Sequence, residues 1–404
     1  MTQAPALFRN RNFGLLWLAS IIGNFALAIA MMAETWYVVK TLGAKEQLGL
    51  VMIAGSVPRI ALMAIGGVLA DRMSRSRIIL ISLGLRVLLL FALVGLLHIN
   101  RLDIWALTIF AFLYGSLDAF FWPARDTLTP AIVPESDLMR ANSIMLTSNQ
   151  VGMVFGPVLG GAMLALMSYE AIFGLTGSML LIATICIAFI KEPANQVVRV
   201  AKSMLNELKE GVIYAVQTPV LRALMLIYIT ANLLFMGPLA LGIPIIVADY
   251  LHGEASTLSY LQSAFAAGMV LGGILLTIYP PSKKRLLMIT VIIALEGLLL
   301  SALPFTPWIW AAVGIQFLIG MGVAGNNVPM MSLIQQSADR DKLGRVMSLN
   351  NMVSMGLSPV SYALVTAMLA AHISISWIMP IFGVTMALVM LGLTLQLKVI
   401  RTQD

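Results

Sequence analysis

From Asn12 onward the chain alternates long apolar runs with short polar breaks, and the runs have the length a helix needs to cross a bilayer, roughly 20 residues. With turn residues and charge clusters as boundaries, the pattern predicts helical spans over 12–40, 47–71, 77–97, 104–130, 138–167 and 171–190. A second set follows over 219–248, 256–279, 286–303, 307–335, 343–371 and 375–397. Between the sets lies the one long polar connector, residues 191–218, KEPANQVVRVAKSMLNELKEGVIYAVQT. Within it Leu205, Leu208, Val212 and Ile213 recur at helical spacing beside Glu207, Lys209 and Glu210. Two readings stay open there: an amphipathic helix along the membrane interface, or a solvated tether with a single helical turn. The expected organisation is a six-helix bundle over 1–190, a linker over 191–218 and a second six-helix bundle over 219–404.

Composition agrees with the pattern. Of 404 residues 60% are hydrophobic and 11% charged, against the roughly 25% charged residues of a soluble domain. An all-α membrane protein follows. The first run lacks a small-residue cleavage site and is followed by many others, so it is expected to be a retained span. Cys186 is the only cysteine, which excludes an internal disulfide and a cysteine-based metal cluster. The formal charge of +7 is explained by its placement, which leaves nucleic acid without a claim. With the N-terminus inside, Arg9, Arg11, Arg72, Arg75, Arg77, Arg140, the basic residues of 191–222, Lys283, Lys284, Arg285, Arg340, Lys342, Arg345, Lys398 and Arg401 all fall on the inner side. Only Lys40, Lys45 and Arg101 fall outside, so both termini are expected in the cytoplasm. His98, His252 and His372 then sit at outer ends of spans, which argues against a buried histidine relay.

The halves repeat. Gly66-Gly67-Val68-Leu69 before a basic cluster recurs as Gly272-Gly273-Ile274-Leu275 before Lys283, Lys284 and Arg285. Leu138, Arg140 and Ser143 recur as Leu343, Arg345 and Ser348, and Pro123 and Pro157 as Pro329 and Pro359. A duplicated six-span unit is an architecture of secondary transporters. GGVLADRMSRSR at 66–77 resembles the loop signature G-x-L-x-D-R-x-G-R-[RK] of the major facilitator superfamily: Gly67, Leu69, Asp71, Arg72 and Arg75 match, and Ser74 replaces a glycine. GMVFGPVLGG at 152–161 resembles that family's antiporter signature at Gly152, Gly156, Pro157, Gly160 and Gly161. AFFWPARDTLTPAIVP and ELKEGVIYAVQTPVLRAL are similar to the branch that contains macrolide-efflux proteins and the enterobactin exporter. The resemblance spans nearly the whole chain and implies the major facilitator fold, twelve transmembrane helices in two pseudo-symmetric bundles. It also implies a cytoplasmic gate of Gly67, Asp71, Arg72, Arg75 and Asp126, in which Asp71 faces a helix N-terminus and Arg75 reaches the acid of Asp126. Thr277 stands where Asp71 would repeat.

Charges inside spans are few, and each costs roughly 2.5 to 3.5 kcal/mol at mid-membrane. They are Glu34, Arg59, Arg86, Asp118 and Glu296, the candidates for proton coupling or cavity charge. Tyr114, Asp118, Trp122 and Arg125 share one face of the fourth span. That stripe either lines a cavity for an amphipathic substrate or is a packing seam with one satisfied ion pair. Glu34 and Asp118 lead as proton carriers, with Arg59 as a charge partner; many members of the branch carry their acid nearer Ala26. Glu296 is either a separate carrier or a protonated, hydrogen-bonded acid. Asn326 and Asn327 add polar groups to a cavity lining. Gly152, Gly156 and Gly160 form a side-chain-free stripe where another helix packs closely, and Pro157 bends the helix beside it.

The expected function is export of a hydrophobic or amphipathic small molecule, a drug, macrolide or siderophore, in exchange for protons. The alternatives are an importer or lipid flippase of the same fold and a non-transporting receptor. An enzyme is not expected, because neither a zinc motif nor G-x-S-x-G occurs. No cofactor or metal is implied. The partners are protons, the lipid bilayer and the amphipathic substrate, the setting a bacterial inner membrane, and the acting form a monomer.

Overall fold

A computed structural model describes residues 7–192, 204–339 and 342–402. The connector residues 193–203 and Arg340 lie outside them, as do the side chains of Asp71, Arg72, Leu205, Glu207, Leu208 and Lys209. The described chain is helical. In order it forms α1 (Arg11–Trp36), α2 (Leu48–Arg72), α3 (Arg75–His98), α4 (Ile104–Ile132), α5 (Leu138–Leu166) and α6 (Tyr169–Ala188). A short helix, α7 (Met204–Gln217), leads to α8 (Pro219–Gly237), α9 (Ile243–Asp249), α10 (Ala255–Ile278), α11 (Arg285–Ala302), α12 (Ile309–Ser337), α13 (Leu343–Ala370), α14 (Ile375–Gln396) and α15 (Lys398–Thr402).

Local chemistry places the starts. Asn10 accepts from the N–H groups of Asn12 and Phe13 ahead of α1, Ser74 caps α3, Asp103 caps α4 and Ser168 caps α6. Two long helices end by widening: α1 continues as a π-helix over Tyr37–Thr41, and α8 as one over Pro238–Gly242 that joins it to α9. The two widened segments occupy matching places in the repeat. Helix boundaries fall within two residues of the expected spans throughout, because prolines, caps and charge clusters punctuate this sequence clearly.

Eleven of the long helical stretches among the described residues are long and apolar enough to cross a bilayer, and α2, with 25 residues, has the length as well. Large apolar side chains such as Leu88, Trp105, Leu146, Leu166 and Trp377 stand exposed on the outer faces of the helices, as lipid contact requires. The chain forms an integral membrane protein.

The helices pack into two compact units, residues 1–44 with 51–200, and residues 45–50 with 201–404. In the first, α1 packs on α5 and α6, and α3 on α6 and α4. In the second, α8 packs on α13 and α14, and α11 on α14 and α12, the same pattern one repeat later. The close approaches repeat too: a Cβ at Gly66 of α2 would strike the Ala119 backbone of α4, and one at Gly272 of α10 would strike Met321 and Ala324 of α12. In the second unit Lys45, just ahead of α2, pairs with Asp249 at the end of α9. There α7 is held to α13 by an ion pair of Glu210 and Arg345 at 2.9 Å, and the Tyr214 hydroxyl accepts the Asp339 N–H. A full helix, not one turn in a tether, therefore precedes the second bundle.

Candidate functional site

The charges of the first unit gather on α4. Asp118 is 3% exposed at mid-helix, and two guanidiniums from neighbouring helices meet it. Arg86 of α3 lies 2.9 Å from Oδ1, and Arg59 of α2 lies 3.3 Å from Oδ2. The indole N–H of Trp122 donates to Oδ2 at 3.0 Å. Arg86, itself buried, sits over the rings of Tyr114 at 4.9 Å and Phe121 at 5.1 Å, which replaces lost hydration with cation–π contact. The Arg125 guanidinium stacks 4.2 Å over Trp122. The stripe Tyr114, Asp118, Trp122, Arg125 is thus one connected surface.

Of the two acids for which Arg59 was an expected partner it meets Asp118 and not Glu34, because α2 and α3 bring both arginines onto α4. Asp118 stands between two guanidiniums and accepts hydrogen bonds on Oδ2 from Arg59 and Trp122, as the packing-seam alternative requires, while its buried Oδ1 lies 2.9 Å from Arg86 without a hydrogen bond. Glu34 on α1 differs in charge environment: its buried Oε1 has no hydrogen-bond partner, and no guanidinium or ammonium pairs with the carboxyl among the described residues.

The loop between α2 and α3 brings a correction. Arg75 pairs at 3.5 Å with Glu192, just past α6, and not with Asp126. Asp126 is exposed and bound to its neighbour Arg125 at 2.9 Å, since the two side chains leave the same turn of α4. Glu192 caps the N-terminus of α3: it accepts from the Ser74 hydroxyl at 2.7 Å, the Ser76 hydroxyl at 2.9 Å, the Ser76 N–H at 3.0 Å and the Arg75 N–H at 3.2 Å. Burial alone would raise its pKa, but these four donors hold it below the usual glutamate value. Nothing in the sequence marked Glu192, since it stood within the polar connector. The Asn12 side chain makes reciprocal bonds with the Lys191 backbone, so the end of α6 is tied to the starts of both α1 and α3. Asp71 and Arg72 lie in the last turn of α2, and Gly67, one turn earlier, faces open space.

The α5 glycines meet α1. A Cβ at Gly152 would come within 2.8 Å of the Asn24 side chain, one at Gly156 would overlap the Ala28 Cβ, and one at Gly160 would reach Met32 at 2.9 Å. Pro157 lies within the helix beside them, and Gly161 is buried. In the second unit Asn326 of α12 is buried and donates to Glu296 Oε1 of α11 at 2.7 Å, whereas Asn327 is exposed. Of the two asparagines, only Asn326 reaches an interior polar group. Asn232 turns back to the Tyr228 carbonyl of its own helix, and Thr277 does the same to Gly273, leaving no counterpart of Asp71 in the second repeat.

Long apolar helices in two repeated units, with an ion cluster joining three helices of one, have the organisation of a membrane transporter. The chain belongs to the Major Facilitator Superfamily, which residues 16–358 match. It is 26% identical over 376 residues to macrolide efflux protein A of Streptococcus pyogenes, covering 90% of each chain. With the multidrug efflux pump Tap of Mycolicibacterium fortuitum it shares 25% over 361 residues, 87% of each. The fold is that of the solved nucleoside transporter NupG, with a TM-score of 0.72 at 11% identity over 95% of this chain and 99% of the other. A POT family transporter solved with 5-aminolevulinic acid is equally close, at 0.72 and 12%, over 96% of both chains.

Proposed function

We propose that this transporter exports a hydrophobic or amphipathic small molecule by alternating access, driven by protons that enter in exchange, with both termini in the cytoplasm of a bacterial cell. Two efflux proteins that align along most of their length support the direction, as does the antiporter signature at 152–161. The proton reading rests on one contrast. Asp118 is held by two guanidiniums and an indole, whereas Glu34 offers a buried carboxyl oxygen with nothing bound to it. An acid between two cations keeps its charge, whereas a buried one without a counter-charge trades charge for neutrality at each turnover. Glu34 is therefore assigned the proton, and the Arg59–Asp118–Arg86 cluster the role of holding α2, α3 and α4 in register. Tyr114 and Trp122 supply aromatic surface beside it. Arg75 and Glu192 tie the loop between α2 and α3 to the end of α6 on the cytoplasmic side.

Dye flux into inverted vesicles under an imposed pH gradient tests this. Glu34→Gln is expected to lower gradient-driven flux by at least about tenfold while leaving downhill dye movement in place. Driven flux equal to that of the unaltered protein would sink the proton assignment.

A further inference from the structure

Glu296 stands apart from the cluster on α4 and is 3% exposed. Its Oε1 accepts one hydrogen bond, from Asn326 at 2.7 Å. The carboxyl lies flat against α12 because residue 322 is glycine: a Cβ there would come within 2.7 Å of Oε1 and 3.0 Å of the Glu296 Cγ. Beside the carboxyl opens a cavity of about 520 Å³, walled by Leu275 of α10 and Tyr279 just past its end, Leu295 and Leu299 of α11, and Leu318 and Met321 of α12. All of its lining lies within the second unit, and among the lining residues Glu296 is the only one with a carboxyl or a cationic group.

Leu275, Leu295, Leu318 and Tyr279 are exposed at the mouth, so the cavity opens sideways onto hydrocarbon and is entered from the bilayer. Its depth limits the occupant. Glu296 lies eleven residues into α11 from the Lys283–Lys284–Arg285 cluster, roughly 17 Å along the helix, near the middle of a hydrocarbon layer about 30 Å thick. A phospholipid ammonium, confined to the interface, does not reach it. Lining positions from 318 to 325 on α12 span seven residue rises, roughly 10 Å, too short for a full acyl chain and suited to a compact ring system.

A carboxylate with one hydrogen bond and no counter-charge in such walls is costly, and a cation brought to it by an apolar body offsets that cost while burying its own hydrocarbon. We propose that this pocket is a binding site for a compact lipophilic amine, the ammonium on the Glu296 carboxyl and the apolar body against Leu295, Leu318 and Met321. The site lies in one unit and does not depend on what the protein transports or how transport is driven.

The test is equilibrium binding to the full-length protein in lipid nanodiscs, without a pH gradient and with empty discs subtracted. The probes are tritiated imipramine, a tricyclic tertiary amine, and iminodibenzyl, the same rings without the amine chain. Glu296→Gln is expected to weaken imipramine binding at least about tenfold and to leave iminodibenzyl within about twofold. Leu318→Trp, on the lipid-facing rim, fills the pocket and is expected to weaken both by at least about tenfold. Imipramine bound equally by the unaltered protein and Glu296→Gln overturns the proposal. So does binding indifferent to Leu318→Trp, or no saturable imipramine binding at all. Should Glu296→Gln fail to yield a monodisperse protein, the Leu318→Trp result and the preference of the unaltered protein for imipramine over iminodibenzyl decide the matter. A protein that binds imipramine in this way yet moves no protons refutes the exchange mechanism and leaves this site standing.

Discussion

Two acids of the first unit carry opposite consequences. Replacing Asp118 by asparagine leaves Arg86 buried without its counter-charge and Arg59 without its partner. Removing one member of a buried pair typically costs about 3 to 5 kcal/mol, so Asp118→Asn is expected to lower the thermal unfolding temperature sharply, whereas Glu34→Gln, which leaves no charge stranded, is expected to raise it or leave it unchanged. Thermal unfolding of both purified variants in detergent checks the order; equal transitions would show that the cluster is not structural. Glu192 adds a pH signature. Its folded pKa lies below the ordinary value of 4.5, so its stabilisation is complete above that value and is lost as pH falls through the folded value. Unfolding temperatures measured from pH 6 down to pH 3 are expected to fall less steeply in Glu192→Gln than in the unaltered protein. Identical slopes would mean that the cap on α3 contributes nothing. At this scale the sequence named Asp118, Arg59 and Arg86 because charges in lipid are rare. It did not show that Glu192 caps α3, since a lone acid after a helix has no periodic context and its four donors come from residues 74–76.

At the scale of elements, α5 earns its glycines from α1. Gly152, Gly156 and Gly160 face Asn24, Ala28 and Met32, each four residues on, so the two helices approach along a seam with no side chain on one side. Gly156→Ala is expected to cost about 1 to 3 kcal/mol through overlap with the Ala28 Cβ, and Ala28→Gly in the same protein is expected to recover part of it. Thermal stability of the single and double variants measures this; additive losses would show that the seam is not the cause. The spacing of the glycines was legible in the sequence as a helix face. Its partner was not, because any helix with a small residue facing the stripe satisfies the same pattern. The same limit applies to α7. Its polar and apolar alternation allowed a helix or a tether, and contact of Glu210 with α13 and of Tyr214 with Asp339 just ahead of it selects the helix.

For the whole molecule, the proposed orientation is tested by fusions. Alkaline phosphatase joined at Asn100, between α3 and α4, is expected to be active, and phosphatase joined after Thr402 inactive, with green fluorescence giving the reverse pattern. Opposite results would invert the proposed topology. The sequence alone determined the spans, their boundaries, the duplication and the class of protein. These follow from local rules: a bilayer demands runs of apolar residues near a set length, prolines and caps punctuate them, and a repeat preserves spacing. Tertiary structure decided which charges meet. Arg59 turned to Asp118 and away from Glu34, Arg75 to Glu192 and away from Asp126, and Glu296 came to rest between Asn326, Gly322 and an apolar pocket. Each of these contacts joins segments 26 to 117 residues apart along the chain. Helical periodicity tells which way a side chain leaves its own axis, but only packing determines which neighbour stands there.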